Sequence, residues 1–218
     1  MNKKNNKELK RFFLRQKRRC FRKRDVVLKP GEDVVGVFYI KTGFVKQYSI
    51  SRSGNELTLN IYKKGSLLFM MMAFNSRKSS YYYEALTPVE ICSVPVDEMM
   101  VFLTRNPWLM ADLLKRMGRG LNGLMARMES LTFGGAQEKL ATILLILARR
   151  FGKKEGNLVV IILPLTHNDL ASMIGLTRET TSLEMKRLER LGIIFRRGRL
   201  TMIRDWKQIE ALASIIPD

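Results

Sequence analysis

The segment from Pro164 to Ile194 limits the fold of this 218-residue chain more than any other. It reads PLTHNDLASMIGLTRETTSLEMKRLERLGII, with two short stretches of helical apolar spacing on either side of Gly175. Glycine permits the tight turn that two crossing helices need, and Thr166 and Thr177 are suited to cap those helices. The pattern predicts a helix-turn-helix, whose second helix lies in the major groove of DNA.

The second predicted helix carries polar residues on the face left free by its apolar stripe. That stripe is predicted to consist of Thr181, Met185, Leu188 and Leu191. On the free face, Arg178 can donate two hydrogen bonds to guanine and Glu179 can accept one from cytosine. The alternative is a solvated ion pair between these two side chains, which contributes little. The residues of this motif predicted to contact DNA are Thr166, His167, Thr177, Arg178, Glu179, Thr180, Ser182, Leu183 and Lys186.

A β-hairpin is predicted directly after the second helix, with Phe195–Leu200 as its turn. Arg196, Arg197 and Arg199 fall within this turn. Like charges this close together repel one another unless a polyanion neutralises them, so the three arginines are predicted to contact the phosphate backbone. A turn that is merely soluble is the alternative.

A heptad stripe precedes these elements. Asn106 and Pro107 are predicted to begin a long helix, whose apolar residues alternate at spacings of four and three, as in a two-stranded coiled coil. A core helix within one domain is the alternative. Phe133–Gly135 is predicted to end this helix as a hinge, and residues 136–151 to form a further helix. The predicted dimer interface consists of Met110, Leu114, Met117, Leu121, Leu124, Met128 and Leu131.

The N-terminal half is predicted to be rich in β-structure. From Phe21 to about Pro95, short apolar segments such as Val37–Ile40 and Phe44–Ile50 alternate with turns that contain glycine. Many short strands at this spacing predict a sandwich or a jelly-roll barrel.

Positive charge is concentrated before this β-rich half. Residues 1–25 hold twelve Lys or Arg against two acidic residues, so they supply +10 of the formal net charge of +19. Leu9, Phe12 and Phe13 predict a short amphipathic helix there. A basic face strengthens DNA binding through counterion release, whereas a frayed, solvated terminus adds nothing, and the sequence leaves both interpretations open.

Composition excludes several classes of protein. No apolar run approaches the roughly 20 residues of a membrane span, and the N-terminus lacks an apolar signal core, so we expect a cytoplasmic protein without membrane contact. One histidine, His167, and two cysteines, Cys20 and Cys92, argue against a metal or cofactor site. No nucleophile, base and orienting group occur together, so an enzyme is not expected. His167 itself is expected at the surface or facing a phosphate.

The order of a β-barrel, a heptad helix, a hinge and a winged helix resembles the Crp/Fnr family of bacterial transcription regulators. The resemblance covers nearly the whole chain and is sharpest in GLTRETTSLEMKRLERLGII, Lys29–Glu32, Tyr39–Val45 and Lys64–Leu68. It implies a homodimer that binds a palindromic promoter site in double-stranded DNA, with RNA polymerase as a further partner.

The resemblance also implies a fold of the α+β class. Its parts are a cyclic-nucleotide-binding-like β-roll, or jelly roll, a long dimerisation helix and a C-terminal winged helix-turn-helix. The implied bounds of these parts are residues 1–105, 106–133 and 134–218.

The positions that hold a cyclic nucleotide in members of the family carry other residues here. A Gly-Glu pair that holds ribose and phosphate corresponds to Phe69–Met70, and an Arg-Ser pair corresponds to Ser79–Ser80. Phe69 would crowd a phosphate, and the Met70 side chain cannot hydrogen-bond to a ribose. Two nucleotide-contacting positions on the dimer helix are the apolar Leu124 and Met125. We therefore expect a regulator that does not depend on cyclic AMP.

Several interpretations of the signal remain. Cys20 alone cannot hold an iron–sulfur cluster, and no histidine in the barrel offers a haem ligand. Phe69–Met72 and Phe74, flanked by three tyrosines, form either a collapsed core without a ligand or a pocket for an apolar or aromatic small molecule. Cys20, which basic residues surround in the sequence, is a candidate for oxidation, whereas Cys92 is expected to be buried. The candidate effector pocket comprises Phe69, Met70, Met71, Ser79, Ser80, Leu124 and Met125.

The recognition helix also departs from the family pattern. Members usually carry a basic residue one turn after the Arg-Glu pair, where this chain has Leu183. The predicted half-site keeps a G and a C, read by Arg178 and Glu179, with an altered base near Leu183. A ligand sensor whose winged helix contacts protein instead of DNA is the competing function, and the arginine-rich hairpin argues against it.

Overall fold

A computed structural model of the chain describes residues 3–75 and 77–213. The chain forms two compact units, residues 1–117 and 118–218. Among the described helices, none combines the length and apolar character that a membrane span requires. The bounds predicted for three domains stay a prediction.

The first unit is built from short strands and helices. Its elements are α1 (Lys3–Leu14), β1 (Lys17–Phe21), β2 (Val26–Leu28), β3 (Val37–Thr42), β4 (Phe44–Ile50), β5 (Glu56–Lys63), β6 (Leu67–Leu68), α2 (Met70–Phe74), β7 (Tyr82–Ala85), β8 (Val89–Val94), α3 (Val96–Thr104) and the start of α4 (Pro107–Phe133).

Two antiparallel four-stranded sheets enclose the core of this unit, in the orders β1-β8-β3-β6 and β2-β7-β4-β5. Side chains alternate along β3, so that Phe38 and Ile40 enter the cluster between the sheets, while Val37 and Tyr39 face a second cluster. This arrangement confirms the predicted β-roll.

The second cluster lies where helices cover one sheet. Leu9 and Phe13 of α1 are fully buried in it, and the Phe13 ring stacks on Tyr39 with 5.2 Å between centroids. The Phe12 ring stacks on Phe102 of α3 at 4.0 Å. The predicted amphipathic helix is therefore confirmed, and its apolar face holds α1 against the roll.

The second unit contains the end of α4 and the C-terminal elements. These are α5 (Ala136–Phe151), β9 (Gly152–Glu155), β10 (Leu158–Ile161), α6 (His167–Ile174), α7 (Arg178–Arg190), β11 (Ile194–Arg197), β12 (Leu200–Ile203) and α8 (Trp206–Leu212). The strands form one antiparallel sheet in the order β11-β12-β10-β9. The helix break predicted at Phe133–Gly135 is confirmed, because α4 ends at Phe133 and α5 begins at Ala136.

Candidate nucleic-acid interface

Helix α6 begins at a reciprocal cap. Thr166 Oγ1 accepts a hydrogen bond from the Asp169 backbone N–H at 3.1 Å, and the Asp169 carboxylate accepts one from the Thr166 backbone N–H at 2.7 Å. The Thr166 hydroxyl also donates to this carboxylate at 2.7 Å. Two backbone donors that the helix leaves free are thereby satisfied, which fixes the start of α6.

A tight turn joins α6 to α7. Gly175 has a φ of 64°, in the left-handed region where glycine avoids the strain of a side chain. Thr177 then caps α7, its Oγ1 accepting from the Thr180 backbone N–H at 3.1 Å. The predicted helix-turn-helix and both of its caps are confirmed.

Helix α7 has one buried and one exposed face. Thr181, Met185 and Leu188 are fully buried, and the Thr181 hydroxyl donates to the Thr177 carbonyl at 2.9 Å. The prediction that Leu191 belongs to this face is wrong. α7 ends at Arg190, so the helical stripe stops before Leu191, and its side chain is 56% exposed.

Residues of α7 that were predicted to contact DNA lie on the opposite face. Arg178, Glu179, Leu183 and Lys186 are exposed, and Ser182 is half-buried. Within the part of the chain that the structure describes, neither Arg178 nor Glu179 lies within 4.0 Å of an oppositely charged group. The solvated-pair interpretation is thereby disfavoured, and both side chains are free to meet a ligand.

The predicted hairpin is present, but its turn is shorter than predicted. Strands β11 and β12 pair as far as Arg197 and Leu200, which leaves only Gly198 and Arg199 in the turn. Arg197 and Arg199 are exposed. Extending the antiparallel pairing adds backbone hydrogen bonds at every second residue pair, which favours the longer strands.

Arg196 does not share the exposure of its two neighbours. It is half-buried, and its Nη2 donates to the Leu165 carbonyl at 2.9 Å, just before α6. Arg196 therefore fixes the hairpin against the helix-turn-helix, whereas Arg197 and Arg199 are presented to solvent.

His167 lies half-buried at the start of α6 among cations. Burial lowers the pKa of this imidazole, and the nearby charges of Arg196, Arg178 and Lys186 act in the same direction. Its Nε2 is buried and has no hydrogen-bond partner among the described residues. The surface position expected for His167 is thus only partly realised, and the charges that act on its imidazole are three cations and one carboxylate, that of Glu189.

One contact of the helix-turn-helix has no local sequence signal. Arg127 of α4 donates two hydrogen bonds to the Met173 carbonyl, in the last turn of α6. Arg127 and Met173 are separated by 46 residues along the chain, so neither periodicity nor a motif points to the pair.

The heptad residues of α4 form an exposed apolar stripe. The exposed fractions reach 61% at Leu114, 59% at Leu121 and 65% at Met128. Met117 and Leu131 are half-buried. Residues on the other faces of α4, such as Leu109 and Leu113, are buried within the first unit. Among the described residues, the apolar stripe of α4 is therefore largely exposed to solvent.

Aromatic rings fill the interior of the roll. Phe69, at the start of α2, has a φ of 65° and is buried. Its ring meets Phe38 edge-on at 5.1 Å and Tyr83 at 4.7 Å between centroids. Burial raises the pKa of Tyr83 well above its ordinary value, and the phenol stays protonated. A bulky residue with positive φ costs about 1–3 kcal/mol, which the buried ring contacts offset.

The methionines after Phe69 do not all pack against the same hydrophobic cluster. Met72 packs against the cluster between the sheets, and Met70 packs against the cluster beneath α1. Met71 is 55% exposed and Phe74 is also exposed.

The remaining pocket candidates also differ in burial. Ser79 is buried and its hydroxyl donates to the Tyr81 carbonyl at 2.7 Å, whereas Ser80 is exposed. Leu124 and Met125 are exposed on α4, in the second unit. Of the described pocket candidates and the methionines beside them, Phe69 lies in the cluster between the sheets and Met72 packs against it.

The two cysteines lie on paired strands with different exposure. Cys20 of β1 is exposed and Cys92 of β8 is buried, as expected for Cys92. Burial raises the pKa of the Cys92 thiol, which disfavours its reactive thiolate form.

Comparison with known families matches both units. Residues 18–106 match the cyclic nucleotide-binding domain, and residues 138–212 match the Crp-like helix-turn-helix domain. An anaerobic regulatory protein of Aggregatibacter actinomycetemcomitans is 23% identical over 198 residues, which cover 91% of this chain and 77% of that protein. A global nitrogen regulator of Nostoc sp. is 28% identical over 164 residues, 74% of each protein.

Solved structures with the same fold lead to the same family. A CRP/FNR-family transcriptional regulator from Thermus thermophilus is 26% identical and superposes with a TM-score of 0.71 over 91% of this chain and 99% of that one. A mutant of CooA from Carboxydothermus hydrogenoformans, 21% identical, superposes with a TM-score of 0.78 over 93% and 90%. With its roll and its helix-turn-helix both matched, the chain belongs to the Crp/Fnr family of DNA-binding transcriptional regulators.

Proposed function

We propose that the protein acts as a homodimer on a palindromic promoter site, with one α7 helix from each copy in the major groove of each half-site. The half-sites lie about one helical turn, roughly 34 Å, apart. The observation that carries this proposal is the contrast between the two faces of α7. Thr181 and Met185 anchor the helix in the core, while Arg178 and Glu179 stand free at its N-terminal end.

Each exposed residue of α7 has a chemical role in this proposal. Arg178 donates to guanine, Glu179 accepts from cytosine and Leu183, 66% exposed, contacts a thymine methyl. Contacts to phosphate hold the helix in register without reading sequence. We assign those contacts to Thr166, His167, Thr177, Thr180, Ser182, Lys186, Arg197 and Arg199.

The uncovered stripe of α4 supports the homodimer. α4 is 27 residues long, and large apolar residues repeat along one side of it with heptad spacing. A second copy of the same stripe would bury these residues in knobs-into-holes contacts and would relate two α7 helices by a two-fold axis.

The filled roll supports regulation without cyclic AMP. The Phe69 ring takes up interior space beside Tyr83, and Ser79–Ser80 stands where the family resemblance implies an Arg-Ser pair that holds a phosphate. We favour a roll that needs no ligand. Two alternatives are an apolar small molecule near Met72 and oxidation of the exposed Cys20. RNA polymerase at the promoter, in the cytoplasm, completes the proposed set of partners.

Selection from random duplex DNA tests the proposal. We expect the wild-type protein to enrich an inverted repeat with a G and a C in each half, with or without cyclic AMP. Arg178→Ala should lose the G while Arg190→Ala, at the exposed far end of α7, should keep the full motif. An unchanged motif with Arg178→Ala would refute base reading, and a motif without two-fold symmetry would refute the dimer.

A further inference from the structure

We propose that the first unit carries a second DNA-binding surface, which binds backbone phosphates irrespective of the base sequence. This inference rests on the DNA binding proposed above. It comprises the end of α1, the strand β1 and the turn after β1. We call it the N-terminal basic surface and define it by six exposed cations: Arg11, Arg15, Lys17, Arg19, Arg22 and Lys23.

The backbone arranges these cations in an extended row. β1 is the edge strand of its sheet and pairs with β8, with Lys17 opposite Ser93 and Arg19 opposite Ile91. Alternate residues of a strand project to the same side and lie about 6.6 Å apart. Further exposed cations flank the strand in the sequence, with Arg15 before β1 and Arg22 and Lys23 after it.

Nearby carboxylates do not neutralise the row. Glu90 pairs with Lys41 at 2.7 Å and with Arg18 at 3.8 Å. The Asp25 carboxylate accepts the Arg22 backbone N–H at 2.6 Å, not a side-chain donor. Over residues 3–75 and 77–213, no carboxylate lies within 4.0 Å of the cationic groups of the six defining residues. The surface therefore keeps its positive field, which favours a polyanionic partner.

Double-stranded DNA fits this surface best among polyanions that a DNA-binding protein meets. A duplex carries one negative charge for about every 1.7 Å of its axis, so an extended row of cations meets several phosphates in any register. Charges on an edge strand also prevent unwanted strand pairing. That role needs only residues of the strand itself, and it leaves the cations beyond β1, such as Arg15 and Lys23, unexplained.

Two variants of the full-length protein with equal charge separate local contacts from the general field. The first carries Arg15→Gln, Lys17→Gln, Arg22→Gln and Lys23→Gln. The matched control carries four exposed substitutions elsewhere in the same unit: Arg52→Gln, Lys64→Gln, Arg77→Gln and Arg105→Gln. The dissociation constants for duplexes of about 20 and about 60 bp are measured by fluorescence anisotropy between about 50 and 200 mM salt.

We expect the affinity of the first variant for the long duplex to depend less steeply on salt than that of the wild type. The control variant should show the same salt dependence as the wild type. The slope of log K against log salt should fall in magnitude by about 0.9 for each phosphate that is no longer neutralised, or about 3.6 for each subunit whose four cations contact the duplex, which amounts to about 150-fold per subunit over this fourfold range of salt. Arg22→Gln with Lys23→Gln alone should give about half of that change in slope, in case the four-site variant folds poorly. Preference for the selected site over a scrambled duplex should stay unchanged.

Equal slopes for the variant and the control overturn the inference. So does a variant with normal DNA affinity that activates transcription poorly with purified RNA polymerase, because the surface would then bind an acidic protein. If the wild-type protein binds every duplex equally, the proposed sequence-specific function is contradicted. If the salt slope is still smaller in the first variant, the inference about the N-terminal basic surface is nevertheless supported.

Discussion

Arg127 donates two hydrogen bonds to one acceptor, the Met173 carbonyl, from Nε at 3.2 Å and from Nη2 at 2.5 Å. Carbonyls in the last turn of a helix lack partners within that helix, and they lie at the negative end of its dipole. Burial, with a smaller effect of Arg150, lowers the pKa of Arg127 to about 10, so the guanidinium stays charged at neutral pH. α4 is thereby joined directly to the first helix of the helix-turn-helix.

We expect Arg127→Met to destabilise the second unit. Hydrogen bonds that involve a charged group contribute about 1.5–3 kcal/mol each, and the loss leaves the Met173 carbonyl unsatisfied. Urea unfolding should show a loss of this order, whereas Arg119→Met, at an exposed position of the same helix, should stay within about 0.5 kcal/mol of the wild type. Equal losses in both variants would show that the Met173 contact stabilises nothing.

We expect Leu121→Glu to separate the dimer. A carboxylate in the apolar stripe would face its own copy across the two-fold axis and would have to be buried without a partner. Sedimentation at micromolar concentration should give a monomer for Leu121→Glu and a dimer for Arg119→Glu, which lies off the stripe. A wild-type protein that sediments as a monomer would contradict the homodimer itself.

The stability of the second unit should depend on pH through His167. Burial lowers its folded-state pKa below that of the unfolded chain, about 6.5, so the unfolded chain binds the proton more readily. The stability is fully present above about pH 6.5 and falls as the pH drops through the folded pKa. His167→Gln should flatten this part of the profile in urea unfolding. Because His167 is the single histidine of the chain, a parallel profile in the variant would disprove the assignment.

Phe69→Gly should be more stable than Phe69→Ala. Both variants lose the buried ring, which costs about 3–5 kcal/mol for Phe→Ala. At a φ of 65° alanine keeps the backbone strain and glycine does not, so we expect glycine to be ahead by about 1 kcal/mol. Thermal unfolding of the two variants measures the difference, and a more stable alanine variant would mean that the left-handed geometry relaxes when the ring is gone.

Leu183→Arg should change the selected DNA sequence at one position of each half-site. Leucine offers only apolar contact to a thymine methyl, whereas arginine donates two hydrogen bonds to guanine. Repeating the DNA selection should show a shift to G next to the bases that Arg178 and Glu179 read, by about 1–3 kcal/mol in preference. An identical motif would place Leu183 outside the groove.

Local signals in the sequence predicted the turn and both N-terminal caps of the helix-turn-helix. The Thr166–Asp169 cap and the Gly175 turn are set by neighbours three residues apart or fewer, and such interactions can be recognised from spacing. The apolar segment Val37–Ile40, predicted as a short strand, likewise lies within β3. These parts needed no knowledge of distant contacts.

Contacts between residues that are distant along the chain could not be predicted from the sequence. Arg196 turns to the Leu165 carbonyl 31 residues away, so its charge pattern alone suggested a third phosphate contact. Leu191 continued an apolar spacing but lay past the end of its helix. The positive φ of Phe69 had no local signal either, because bulky residues rarely adopt it.

The strained backbone of Phe69 has an evolutionary consequence. At this residue a change to glycine would release the torsional cost and vacate space inside the roll in one mutation, although it would cost stability. A roll that is closed from within and one that is open to a visiting molecule are therefore neighbours in sequence. Regulation of such a domain by a small molecule could therefore be gained or lost through a single substitution, without building a whole binding site.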